Sequence, residues 1–432
     1  MEARSCPWWL CALLLLGPAP AWSTEDYSFD ISEIEKQPFQ FGGYAEFSPE
    51  ISSADLDAAL YRLKYYNQDV AADAYAFKLQ LEGSYEQGIT RLFSRININA
   101  GYASAEWSDE ASVYEGYLSL KPSSSLVLDA GKKSLRWGKG YAWNPAAFLD
   151  RPKNPDDPEL SLEGFVVASA DFTRSFSGPL QTLSFTPVLL PVYDSVNDDF
   201  GGLDHLNFAG KVYLLLYDTD IDFMVLTGAS KPGRYGADFS RNITSSFEVH
   251  GEAAWVDGYQ RRAIDSLGQL SVTEYDAFSY LLGLRYLTEN DVTSIIEYYH
   301  DDTGYEVEEM AGYFSFIDHA YETYLATGSD RLLVQATAVS ASGVGQANPM
   351  RDYLYARISR KEPFDLLYVT PAITCIMNLQ DSSYSLSPEV VYTGITNTEV
   401  RLKANIIQGD DGTEYGEKTN NFLVDLRLRY FF

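Results

Sequence analysis

Cysteine is almost absent. Three occur in 432 residues, and two of them, Cys6 and Cys11, sit in an apolar N-terminal stretch, leaving Cys375 alone downstream. No intrachain disulfide framework is available. Long apolar runs are missing as well: beyond the N-terminus no segment offers the ~18 uncharged apolar residues that a membrane-spanning helix needs. Any bilayer crossing therefore falls to strands, which must close into a barrel to satisfy their backbone groups. Basic residues are scarce, with 32 Lys and Arg against 61 Asp and Glu and a formal net charge of -29. That balance excludes nucleic acid and anionic membrane surfaces as partners, since both require a basic face. Catalytic motifs are lacking too, with neither Gly-x-Ser-x-Gly nor His-Glu-x-x-His present. His250 lies between Glu248 and Glu252 on one strand face, a spacing open to metal binding or base tuning, but no nucleophile motif accompanies it. Asp156, Asp157 and Glu159 fall short of EF-hand spacing. No enzyme activity, cofactor or metal is expected.

What the chain does contain is aromatic: 32 Tyr and 23 Phe against only five Met, a balance suited to strands and interfacial girdles. Residues 1–23 have the three parts of a cleavable secretory signal: Arg4, an apolar run from Trp8 to Leu16, and the small-residue segment at Ala19 to Ser23. Residues 24–38 read as a short periplasmic segment, too brief for a plug domain. From residue 39 to 432 period-two segments of roughly ten residues recur, joined in pairs by short polar turns. Those turns are Glu86 to Gly88, Lys121 to Ser125, Ser177 to Pro179, Asp218 to Asp220, Asn242 to Thr244, Thr288 to Asp291, Lys361 to Asp365 and Gly394 to Thr398. Between them lie longer connections at 103–111, 138–161, 195–205, 257–277, 300–349 and 408–420; Leu60 to Tyr66 is either a strand or part of a first loop. Short turns alternating with long loops predict an all-β fold, a transmembrane antiparallel β-barrel of about 18 strands, within roughly 16 to 20, with long extracellular loops. Within 305–343 the period changes: Met310, Phe314, Ile317, Tyr321 and Leu325, then Leu332, Leu333, Ala336 and Val339, predict two short helices inserted in one loop.

Side chains alternate across a strand, so each segment divides into two faces. Leu92, Ile96 and Ile98 oppose Arg91 and Arg95; Val400, Leu402 and Ala404 oppose Arg401 and Lys403. In the final strand Phe422, Val424, Leu426, Leu428, Tyr430 and Phe432 oppose Asp425, Arg427 and Arg429. One face stays free of charge, as it must where a charge facing mid-bilayer costs about 2–4 kcal/mol. The other face, predicted to line the lumen, adds Lys211, Glu248, His250, Glu252, Arg285 and Arg357. Such a lining either favours anionic or polyhydroxylated solutes over cations or pairs its own charges across strands.

The most specific string is Gly131-Lys-Lys-Ser-Leu-Arg-Trp-Gly-Lys-Gly-Tyr-Ala-Trp-Asn-Pro145, running from a strand into a loop stiffened by Pro152, Pro155 and Pro158. Here the chain resembles bacterial outer-membrane porin-like barrels, in which a strand ending in a Gly, basic, Trp-Gly string leads into a loop that narrows the pore. It is similar in particular to uncharacterised outer-membrane proteins with a Trp-Gly-Lys-Gly string. The resemblance implies a Gram-negative outer-membrane channel for small hydrophilic solutes, with residues 138–161 as constriction loop. On it, Lys132, Lys133, Arg136, Trp137, Lys139, Tyr141 and Trp143 become candidate solute contacts. It also implies two partners besides solute: outer-membrane lipid, and the barrel assembly machinery reading the strand that ends at Phe432. A non-conducting adhesin or assembly platform is the alternative, and an outer-membrane hydrolase a more distant one.

Overall fold

The computed structural model describes residues 38–67, 73–103 and 106–432. The signal segment at 1–23, and the 24–38 segment apart from Pro38, lie outside these. Among the described residues eighteen strands follow one another around a single sheet: β1 (Phe39–Ala54), β2 (Asp73–Gln87), β3 (Thr90–Ala103), β4 (Glu106–Ser123), β5 (Leu126–Lys133), β6 (Phe165–Ser175), β7 (Leu180–Val192), β8 (His205–Leu216), β9 (Thr219–Thr227), β10 (Arg234–Thr244), β11 (Phe247–Ile264), β12 (Leu270–Leu287), β13 (Val292–Asp301), β14 (Asp352–Arg360), β15 (Val369–Asn378), β16 (Tyr384–Ile395), β17 (Thr398–Gln408) and β18 (Asn420–Phe431). Every pairing is between chain neighbours and antiparallel, and β18 closes on β1, with Tyr44 opposite Phe431 and Glu50 opposite Asp425. Closure leaves no unpaired sheet edge.

Alternation decides which way each side chain points. Leu92, Leu402 and Phe422 are exposed on the outer surface, whereas Gln80, Arg95 and Asn97 are buried inside. The eight short reversals gather at one end of the barrel, and six begin within a residue or two of their predicted places; the one expected at Lys121 to Ser125 begins three residues later, at 124. The reversal expected at Asn242 to Thr244 comes later, at 245–246, because a register shift between Asn242 and Thr244 lets β10 run on.

At the opposite end two expected loops turn out to be strand. The connections predicted at 103–111 and 257–277 are long hairpins instead, with β3 ending at Ala103 and β4 starting at Glu106, and with β11 and β12 paired out to Ile264 and Leu270. Beyond the apolar belt charged residues such as Asp109, Glu110, Arg261 and Glu274 break the apolar alternation, and the ladder persists on backbone hydrogen bonds. The segment Leu60 to Tyr66 is a helix, α1 (Ala59–Tyr65), and two brief connections at this end, 228–233 and 379–383, were not foreseen.

The inserted helices are α2 (Val307–Thr327) and α3 (Arg331–Val339). At 21 residues α2 is longer than the short helix expected; a capping box between Glu306 and Glu309 starts it, and Gly328 in the left-handed region ends it. Leu63 of α1, Met310, Phe314 and Ile317 of α2 and Leu333 of α3 share one buried core with Trp143, Tyr353 and Tyr355. The helices are also tied to the β11–β12 hairpin, by Arg261 with Glu309 at 3.2 Å and by the Gln335 amide donating to the Gly268 carbonyl at 2.9 Å. Among the described residues no helix is long and apolar enough to cross a membrane.

Candidate functional site: a loop sewn across the barrel interior

The connection between β5 and β6, residues 134–164, folds inward, and buried carboxylates hold its backbone. Glu252 on β11 accepts from the N–H groups of Lys139 and Gly140 at 2.5 Å and of Ala146 at 3.2 Å. Glu297 on β13 accepts from Tyr141 N–H and, at 2.8 Å, from Ala142 N–H, and it also meets His250 Nε2 at 2.7 Å. Asp150, within the loop, gathers the N–H groups of Leu135 and Arg136 at 2.9 Å and of Trp137 at 2.8 Å. Backbone amides clustered on an anion are strong, charge-assisted bonds. The glycines of the motif allow the approach. A Cβ on Gly138 would lie 2.7 Å from Glu252 Oε1, at a φ of 88° closed to most residues, and one on Gly140 would lie 2.1 Å from the Trp143 carbonyl oxygen.

Farther along, the loop reaches β17 and β18. Asp157 pairs with Arg401 at 3.1 Å and Arg427 at 2.8 Å, and Lys403 donates to the Asp156 carbonyl at 2.6 Å. Burial alone would raise the Asp157 carboxyl, but the two guanidiniums outweigh it and hold its pKa below the ordinary value. Fastened to β11 and β13 at one point and to β17 and β18 at another, the loop spans the interior.

Beneath it, toward the short turns, lies a cavity of about 740 Å³. Its position follows from its lining, since Glu248, Thr293, Ser359, Thr370 and Glu399 are each within two residues of a strand end beside a short reversal. Lys139, Tyr141, Lys153 and Asp157 form its roof, and Arg285, Arg357, Arg401, Arg427 and Arg429 stand on its wall. A smaller cavity of about 370 Å³ is enclosed by the loop's own residues, among them Arg136, Asn144, Asp150 and Leu162.

The tryptophan and basic candidates divide into three groups. Trp137 and Trp143 correct the sequence expectation: at 2% and 7% exposed they are packing anchors rather than solute contacts. Trp137 joins Phe148, Leu149 and Leu190, while Trp143 stacks on Tyr299 with ring centroids 5.2 Å apart. Large flat rings bury well against a wall, which is what a loop crossing open space needs.

A second group consists of cations already paired. Lys132 is engaged by Glu163; Lys133 by Asp129 at 2.5 Å; Lys139 by Asp222 at 3.0 Å, with Lys211 at 3.6 Å from the same carboxylate. Arg95 bridges Glu82 and Glu115 at 2.7 and 2.6 Å, Arg357 meets Glu389 at 2.5 Å, Arg429 meets Glu46 at 2.6 Å, and Asp425 stands 3.9 Å from Arg401. Cross-strand pairing thus accounts for most of the inferred basic lining.

The third group makes no ion pair among the described residues: Arg91, which lies over Phe93, Arg136, Arg285, and Lys403, whose ammonium meets the Asp156 carbonyl. Sequence reasoning passed over a further member, Lys153. Its ammonium donates to the carbonyls of Gly140 at 2.6 Å and Tyr141 at 3.3 Å, and burial lowers its pKa against the pull of Glu252, Glu297 and Asp150. Asp238 was also passed over: it is buried, and its cross-strand neighbours are the carboxylates Asp222 and Glu252. His250 is buried between Glu297 and Glu248, whose Oε1 is 3.7 Å from Nδ1.

No protein-family model matches the chain, and no curated protein matches it. Among solved structures it is similar to Pseudomonas aeruginosa OccK11 (OpdR), at 11% identity and a TM-score of 0.50 over 91% of this chain and 95% of that one. It is likewise similar to Acinetobacter baumannii OccAB1, at 9% identity and a TM-score of 0.51 over 91% and 96%. Pseudomonas aeruginosa OccK5 (OpdH) gives 11% and 0.50 over 90% and 97%. The likeness is one of fold, a closed 18-strand antiparallel barrel of the porin kind.

Proposed function

We propose that this chain is an outer-membrane channel for small hydrophilic solutes, with residues 134–164 narrowing its interior. The observation that carries the reading is the charged cavity of about 740 Å³ within a closed barrel, roofed by a loop fastened to two separate stretches of wall. A barrel of this strand number is wide enough for water unless loops fill it. Here the loop fills part of it and leaves a polar chamber. The apolar outer belt suits lipid, the short turns suit the periplasmic side, and the long loops and helices suit the cell surface. Anions are the favoured solutes, because cations without a carboxylate partner stand on both chambers, Arg285 in the larger and Arg136 in the smaller.

Planar bilayer recording tests this. Purified protein should give stepwise conductance, with a reversal potential displaced toward the anion in a salt gradient. A barrel that never conducts would sink the channel reading and favour a surface adhesin or assembly platform.

A further inference from the structure

Resting on that channel reading, we propose that solute passes through the curl of the 134–164 loop itself, by a neck between Lys153 and Pro158–Leu160, and that Lys153 sets the charge preference there. The neck is found by comparing the two chambers. Lys153, Pro158, Glu159 and Leu160 line both the cavity of about 740 Å³ below the loop and the cavity of about 370 Å³ within it. They stand between the two chambers, and the proposed neck is placed there.

The seams between loop and wall are closed over much of the circumference. On β11 and β13 the two glutamates hold successive amides of the loop. Near β9 the Lys139–Asp222 pair fills the junction, and at β17 and β18 the Asp157 pairs and the Lys403 bond do so. Trp137 and Trp143 occupy apolar gaps between these points. A solute avoiding these contacts has the loop's own curl available to it.

The neck is stiff and carries charge. Pro152, Pro155 and Pro158 restrict its backbone. Lys153 is held in place by two carbonyls and makes no direct ion pair among the described residues, Glu252, Glu297 and Asp150 acting on it from beyond contact, and Glu159, which lines the same two chambers, accepts from the Tyr141 hydroxyl at 3.4 Å. A fixed ammonium with no carboxylate in contact at the narrow point acts on permeating ions more strongly than the directly paired arginines of the wall, whose fields are cancelled locally.

The test uses the full-length protein in planar bilayers. Cys375 is first replaced by Ala, and single cysteines are then placed at Lys153, at Glu159 and, as a wall control lining a separate cavity, at Thr186. A charged thiol reagent should remove most of the current through the Lys153→Cys and Glu159→Cys channels and leave Thr186→Cys unchanged. Lys153→Glu should move the reversal potential toward the cation, Glu159→Gln should move it toward the anion, and Lys153→Gln should fall between wild type and Lys153→Glu. Glu159 is solvent-exposed, so its variants fold even where a Lys153 variant does not. Wild-type conduction with no block at either neck position, or with block at Thr186 instead, overturns the neck and leaves the channel reading standing. Absence of wild-type conduction defeats the channel reading itself.

Discussion

At the scale of single residues, the carboxylates that hold backbone matter more than the basic side chains that dominate the motif. Glu252 and Glu297 between them accept from Lys139, Gly140, Tyr141, Ala142 and Ala146. Converting either to glutamine replaces one acceptor oxygen with a donor facing other donors, and a buried donor left unpaired costs about 1–3 kcal/mol. Glu297→Gln should accordingly lower the thermal unfolding midpoint in detergent and broaden current fluctuations, whereas a fully wild-type trace would show that the amides find other partners. Gly138→Ala should act similarly, since its methyl would meet the Glu252 carboxylate from a strained φ. The expected signature there is a raised open-channel current from a displaced loop. Of all this the sequence shows only the two glycines; nothing local marks Glu252 and Glu297 as anchors, because their partners lie more than a hundred residues away.

At the scale of elements, the loops at the long-loop end are clasped by acids with opposite responses to pH. Glu414, in the 409–419 connection, is 1% exposed; burial pushes its carboxyl up to about 7, against the opposing effect of Lys418 and the bonds donated by Tyr353 at 2.6 Å and Asn378 at 2.9 Å. Its folded pKa is raised above the ordinary 4.5, so its contribution is complete below that value and is lost as pH rises through about 7. The loss is on the order of 3 kcal/mol, at about 1.4 kcal/mol per unit. Limited proteolysis of this loop should therefore quicken between pH 5 and 8, and Glu414→Gln should flatten that response. Asp157 has the reverse sign. Its pKa is depressed below the ordinary 3.8, so its two ion pairs are present above that value and are lost as pH falls through the lower folded one. Acid should loosen the 134–164 loop while leaving the Glu414 clasp closed. The helical period at 305–343 was legible because amphipathic spacing is local; where α2 and α3 dock was not, because docking depends on aromatic partners on β13 and β14.

At the scale of the whole molecule, the outer belt sets the energetics. Leu402, half exposed near the middle of β17, has Val390 and Leu426 as cross-strand neighbours on the same face. Leu402→Arg should cost about 2–4 kcal/mol, read as a lower urea midpoint for unfolding from phospholipid vesicles. The lumenal exchange Arg285→Gln should leave that midpoint within about 0.5 kcal/mol, since Arg285 makes no ion pair among the described residues. By itself the sequence determined the barrel, its eight short turns and the two faces of each strand, because period-two alternation and turn chemistry act over a few residues and closure follows from the backbone's need for partners. Only the tertiary structure decided that the arginines of the final strand meet Glu46 and Asp157, that the motif tryptophans are anchors, and that Lys153 stands between the two chambers. Those outcomes depend on which groups the closed wall brings opposite the loop, and a contact across a lumen leaves no period in the chain.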